Sequence, residues 1–170
     1  KTFLNTTDQV QGWIDSPLTE KGESQADAVG RGMKDIKFVS AFSSDLGRQR
    51  ETALRILAQN AGPAPELREV IGLREWFYGG YEGKMNAEMW DPIFVAHGLK
   101  FDAEWSQYGE LVKQMTDEDI ANAIAANDVL KQAETYDQIT KRTREAMDEI
   151  IKITQEAGGG NALVVSSGSE

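Results

Sequence analysis

The segment KFVSAFSSDLGRQRETA, Lys37 to Ala53, decides how the chain is read. Its first half is apolar, small and β-prone, and it empties into the polar turn Ser43-Ser44-Asp45. From about Gly47 the spacing turns helical, so a strand runs through a tight turn into a helix. Arg48 falls in the first turn of that helix. A guanidinium and the N–H groups of a helix start can converge there on one anion, phosphate above all. The plainer alternative makes Arg48 and Arg50 surface charges matched to Asp45 and Glu51.

The pattern repeats on either side. Upstream, residues 1–18 show no helical period, and Thr19 reads as the N-cap of a helix over about 20–35. Ala26, Val29, Met33 and Ile36 would form its apolar face. Downstream, PELREVIGL suggests a strand leading to a loop, and EWFYGGYEG a glycine-rich aromatic loop. From Lys84 to Lys131 apolar residues lie among acids and predict short helices, one of them opened by Thr116. Tyr136, Ile139, Thr143, Met147, Ile150 and Ile153 mark one face of a long helix. Gly158 to Gly160 end it, and NALVV follows as a buried strand. Alternating helices and strands predict an α/β fold, with a mostly parallel central sheet flanked by helices on both faces. The helical insert, about 84–131, interrupts a single domain over 1–170. Ligands of such sheets bind beyond the carboxyl ends of the strands, where SSDLG and VVSSGSE lie.

Composition narrows the partners. The 170 residues carry a formal net charge of -10, which argues against nucleic acid and anionic membranes. A small anionic substrate remains compatible if a few arginines create a local positive field. There is no cysteine and no apolar run of membrane-spanning length, so a cytoplasmic protein is expected.

Few residues qualify as chemical groups. Glu75 and Glu82 flank the aromatic WFYGGY. Burial beside Trp76 and Phe77 would raise a carboxyl pKa and suit a general acid, whereas a solvated loop acid is the bland reading. His97, the only histidine, precedes Gly98 and reads as a helix C-cap. A metal site is not expected, because the acids are scattered and one histidine cannot build a transition-metal cluster. Ser167 lacks the glycine spacing of a hydrolase nucleophile elbow.

Together, Asn5, GWIDSPLTEKGESQA, SSDLGRQRETA, REWFYGGYEG and ALVVSSG resemble the histidine phosphatase superfamily, in its phosphoglycerate-mutase-like branch. The resemblance implies an Arg-His-Gly tripeptide just before Lys1, its histidine attacking phosphorus. It also implies that the first strand and the C-terminal end of the domain lie outside these residues. By the same resemblance, Thr2 and Asn5 line the phosphate pocket, and Gln11 and Gly12 belong to the substrate-contacting loop. Arg48 is similar to a phosphate-clamping arginine, Glu75 to the proton donor, and Glu82 and Gly83 to the structural end of that motif. Ser167 stands where the family pattern has a second histidine.

The implied chemistry is phosphoryl transfer through a phosphohistidine, without cofactor or metal, on a small phosphorylated metabolite. Mutases of the branch hold the substrate carboxylate with arginines of the insert, and no arginine occurs here between Arg74 and Arg142. A phosphatase is therefore the expectation, with a phosphoglycerate mutase as the alternative. A third alternative is an impaired relative that binds phosphorylated ligands or a protein partner, which Ser167 would favour.

Overall fold

The computed structural model describes residues 1–168. Its strands are β1 (Phe38–Ser43), β2 (Leu67–Glu69) and β3 (Asn161–Val165). Its helices are α1 (Phe3–Thr6), α2 (Glu20–Gly32), α3 (Gly47–Ala58), α4 (Asn86–Ala96), α5 (Tyr108–Leu111), α6 (Asp117–Asn127) and α7 (Tyr136–Glu156). The chain divides into two compact units. One comprises Lys1–Phe3, Asp15–Glu75 and the residues from Lys141 onward, and the other Leu4–Ile14 and Trp76–Thr140.

The first unit holds the sheet, parallel throughout and ordered β2-β1-β3. Ala41 of the central strand lies opposite Leu67 on one side and Leu163 on the other. Successive strand residues face opposite ways. Ala41 and Leu163 pack with Ile56 and Leu57 of α3, and the register irregularity between Phe38 and Ser40 lets Phe38 join them, while Phe42 packs on the other side with Val70, Leu73, Ala146 and Ile150. Helices thus cover both faces, as the alternation predicts. On the α7 face Ser40 donates to Thr154 Oγ1 at 2.8 Å, and Thr154 in turn donates to Ile150 O at 2.7 Å.

Details depart from the sequence reading. Residues 3–6 form the short α1, where no helix is expected. α2 starts after Thr19, whose hydroxyl accepts from Gly22 N, but it ends at Gly32. Its buried face is Gly22, Ala26 and Gly30, leaving Val29 and Ile36 exposed. The reason is close helix packing: a Cβ on Gly30 would lie 2.7 Å from Gln59 Cγ and 3.0 Å from Ile56 Cα. On α7 the face turns through Ala146 and Ile150, and Met147 is exposed. β3 is an outer strand of the three, and only Leu163 is buried, not the whole of NALVV.

The second unit is built on Val10, Trp76, Trp90, Phe94, Leu111, Ile120 and Ile139. Trp90, Phe94, Phe101, Trp105 and Tyr108 meet edge to face, the arrangement aromatic quadrupoles favour. Thr116 and Asp119 form the reciprocal cap that opens α6. His97 ends α4, and its Nδ1 donates to Ile93 O at 2.9 Å, so it caps a helix as its position predicts. Among the described residues no helix is long and apolar enough to cross a membrane.

Candidate active site

In the first unit three chain segments leave the carboxyl ends of the sheet, and each carries one expected site residue. The first follows β1. Ser43 and Ser44 are fully buried there, and Ser44 Oγ accepts from Leu46 N at 3.1 Å while donating to Gln49 Oε1. The start of α3 does not present open N–H groups, as the sequence suggests it should. Asp15 fills that place: Gly47 N donates to Oδ2 at 2.6 Å, and Arg48 N and Nη1 donate to Oδ1 at 3.4 and 3.1 Å. A carboxylate at a helix N-terminus is favoured by the helix dipole as well as by the hydrogen bonds.

The surface-charge alternative named other partners for this segment, and those assignments are corrected. Arg48 is 7% exposed and paired with Asp15. Asp45 is held by Arg74, Glu51 by Arg55, and Arg50 by Glu69. The Arg74 hydrogen bonds, at 2.7 and 2.6 Å, pull the Asp45 carboxyl below the usual aspartate range. An open groove of about 450 Å³ runs beside Asp15, Ser16, Gly47, Arg48, Arg50 and Leu54.

The second segment follows β3. Ser166 Oγ donates to Leu73 O at 2.7 Å, and Ser167 Oγ accepts from Gln49 Nε2. Ser44, Gln49 and Ser167 thus form one hydrogen-bonded chain. The third segment, after β2, turns through a 3-10 helix at Ile71–Leu73 and delivers Glu75, which is 7% exposed. Its backbone carbonyl accepts from Arg142 Nη2 at 3.0 Å. Arg48, Ser167 and Glu75 therefore sit on three segments tied to one another by Gln49 to Ser167, Ser166 to Leu73, and Asp45 to Arg74.

The remaining expected residues are distributed as follows. Thr2, in the first unit, is buried and bridges antiparallel to Leu18. Asn5 lies exposed on α1, Gln11 is half-buried and Gly12 buried, all three in the second unit. Gly12 makes a close approach possible: a Cβ there would stand 2.2 Å from Trp76 O and 2.4 Å from Glu82 Oε1. Glu82 accepts from the amides of Gly12, Trp13, Ile14 and Tyr78 at 3.1, 2.8, 3.1 and 3.1 Å. Four backbone donors give this carboxylate a structural task, in keeping with the motif end it was matched to. Among the described residues, no group of three or more His, Cys, Asp or Glu side chains could hold a metal ion.

Sequence reasoning missed Asp15 and Gln49. Asp15 sits in DSPLT, which reads as a turn and cap sequence. Gln49 lies between two arginines on a helix and carries no apolar signal of burial, yet it is 3% exposed.

The sequence model of the histidine phosphatase superfamily (branch 1) matches residues 1–169. The chain belongs to that superfamily. A probable phosphoglycerate mutase of Erwinia tasmaniensis is 28% identical over 99% of this chain and 66% of its own length. A fructose-2,6-bisphosphatase of Xenopus tropicalis is 42% identical over 52% of this chain and 33% of its own. The crystal structure of a phosphoglycerate mutase from Bacillus anthracis superposes with a TM-score of 0.86 at 38% identity, covering 99% of this chain and 71% of that one. The chain thus spans under two thirds of the length of those two sequence relatives.

Proposed function

We propose that the full-length protein is a phosphomonoesterase of the histidine phosphatase type, acting on small phosphorylated metabolites through a phosphohistidine. The observation that carries this reading is the convergence of Arg48, Ser167 and Glu75 on linked segments at the carboxyl ends of the sheet. The only histidine, His97, caps a helix in the second unit, so in this reading the nucleophile is supplied from outside the 170 residues.

The nucleophilic imidazole nitrogen forms a bond to phosphorus as the ester P–O bond breaks. Glu75 gives its proton to the departing oxygen. Water then attacks the phosphohistidine, returning a proton to the Glu75 carboxylate and releasing inorganic phosphate. Arg48, held by Asp15, holds the equatorial oxygens, and Thr2 borders the phosphate. Ser167 offers one neutral hydrogen bond where a histidine would offer a charged one.

The likeness to the Bacillus anthracis enzyme favours a second reading, phosphoglycerate mutase. The stretch without arginine between Arg74 and Arg142 weighs against it. One experiment separates the readings. Full-length protein is incubated with a panel of phosphorylated sugars and acids, following phosphate release and phosphoglycerate isomerisation together. Phosphate release with acid-labile protein phosphate supports the phosphatase, and isomerisation without net release the mutase. No turnover and no protein phosphate would leave a ligand-binding relative.

A further inference from the structure

Glu75 is presented by a backbone that makes no regular strand, so something else must fix its place. The segment Gly72–Glu75 has lost the β2 ladder and passes through a 3-10 turn. Three of its four carbonyls are gathered by one side chain. Arg142 Nη1 donates to Gly72 O at 2.8 Å and to Arg74 O at 2.8 Å, and Nη2 donates to Glu75 O at 3.0 Å. The fork reaches three acceptors because Gly72 lies directly against α7. A Cβ at position 72 would fall 2.6 Å from Arg142 O and 2.7 Å from Ala146 Cβ. Ser166 holds the remaining carbonyl of the segment, Leu73 O, from β3. The Arg74 side chain is fixed in turn by Asp45 from the β1 exit.

We infer that Arg142 is the positioning residue for the Glu75 proton donor, an inference that rests on the phosphatase reading. A planar guanidinium with five donors fixes several carbonyls in one plane, which an ammonium group cannot do. Proton transfer to a leaving oxygen needs the acid within hydrogen-bond reach, and a misplacement of about 1 Å can cost on the order of a hundredfold. These three contacts of Arg142 are to backbone carbonyls of the segment, and through them it acts on the chemistry by way of Glu75.

The test uses the full-length protein and two substrates: an alkyl phosphate, whose departing oxygen needs a proton, and p-nitrophenyl phosphate, whose leaving group does not. Arg142→Lys keeps the charge but not the fork, and Arg142→Ala removes both. The expected result for Arg142→Lys is a loss of about tenfold or more in kcat on the alkyl phosphate. KM should be unchanged, and the aryl ester should change less than about threefold. Glu75→Gln should show the same selectivity more strongly, and adding Arg142→Lys to it should cost nothing further. Should Arg142→Ala not fold, the lysine variant and the double variant carry the test alone. Equal slowing of both substrates by Arg142→Lys, or losses that add to those of Glu75→Gln, would overturn the inference while leaving the phosphatase reading intact. A wild-type protein that hydrolyses neither ester would overturn the phosphatase reading, and the role of Arg142 with it.

Discussion

Asp15 and Arg48 meet twice: one carboxylate oxygen of Asp15 accepts both the backbone N–H and the guanidinium of Arg48, at 3.4 and 3.1 Å. The proposed phosphate ligand therefore comes with a resident anion. Removing that charge should leave Arg48 and the α3 terminus with more positive potential for a bound anion. Asp15→Asn in the full-length protein is expected to tighten inhibition by inorganic phosphate several-fold without raising kcat. A weaker or unchanged phosphate inhibition constant would show that Asp15 serves Arg48 only as a brace.

The second prediction concerns Ser167. Gln49 donates to its hydroxyl, so the carboxamide lies where a larger side chain would have to go. Restoring a histidine alone should place an imidazole against Gln49. Ser167→His combined with Gln49→Ala should therefore be faster than Ser167→His by itself. A donor aimed at transition-state charge is worth about 2.7–4 kcal/mol, so the pair should exceed the natural protein in kcat by at least about tenfold. Steady-state kinetics on an aryl phosphate decides the matter, and equal rates for single and double variants would remove Gln49 from the account.

A third prediction compares two glycines of the second unit. Both adopt left-handed backbone, Gly79 at φ +56° and Gly98 at φ +70°. Gly98 has open space around it, whereas a Cβ on Gly79 would lie 2.2 Å from Asp128 Oδ2. Asp128 is buried and accepts from the amides of Gly80, Leu130, Gln132 and Ala133. Gly98→Ala should thus cost only the conformational term, about 1–2 kcal/mol. Gly79→Ala should cost more, because it also forces that carboxylate from its donors. Denaturant unfolding of both variants measures the difference, and equal costs would contradict it.

The fourth follows from Asp45. Arg74 lowers its folded pKa, so the pair adds stability above the unfolded aspartate value of about 3.9, and that stability is lost as pH falls through the folded value. Arg74→Met should lower the melting temperature near neutral pH by about 2–4 °C, for a partly exposed pair worth up to about 1 kcal/mol. The gap from the natural protein should shrink as the pH is taken well below 4. A gap that stays constant from pH 7 to pH 3 would mean the loss comes from packing of the Arg74 stem.

The sheet and its crossing helices were legible because their signals are local. Phe38 to Ser43 form an apolar, small and β-prone run that empties into a polar turn, Thr19 and Thr116 announce their helices, and Gly158 to Gly160 stop one. Burial was less legible where packing is made by small residues. Gly22, Ala26 and Gly30 carry no hydrophobic signal, so the period drew attention to Val29 and Ile36 instead. In the candidate site, Arg48, Glu75 and Ser167 could be named from the family resemblance, and the structure sets them on three linked segments. Their partners Asp15, Gln49 and Arg142 could not be named that way, since each is a polar residue whose role depends on a contact 33, 118 or 67 residues away in the chain.

The Glu82 carboxylate also sets a sequence of events. Its donors at Gly12, Trp13 and Ile14 are 70, 69 and 68 residues distant along the chain, while its donor at Tyr78 is only four away. The turn around Glu82 can close early and locally. The amides of residues 12–14 can be protected only after a long loop has been drawn shut, and that loop-closure entropy must be met first. Slow hydrogen exchange at Trp13 therefore reports that this loop is closed, and its acceleration would report that the loop has opened.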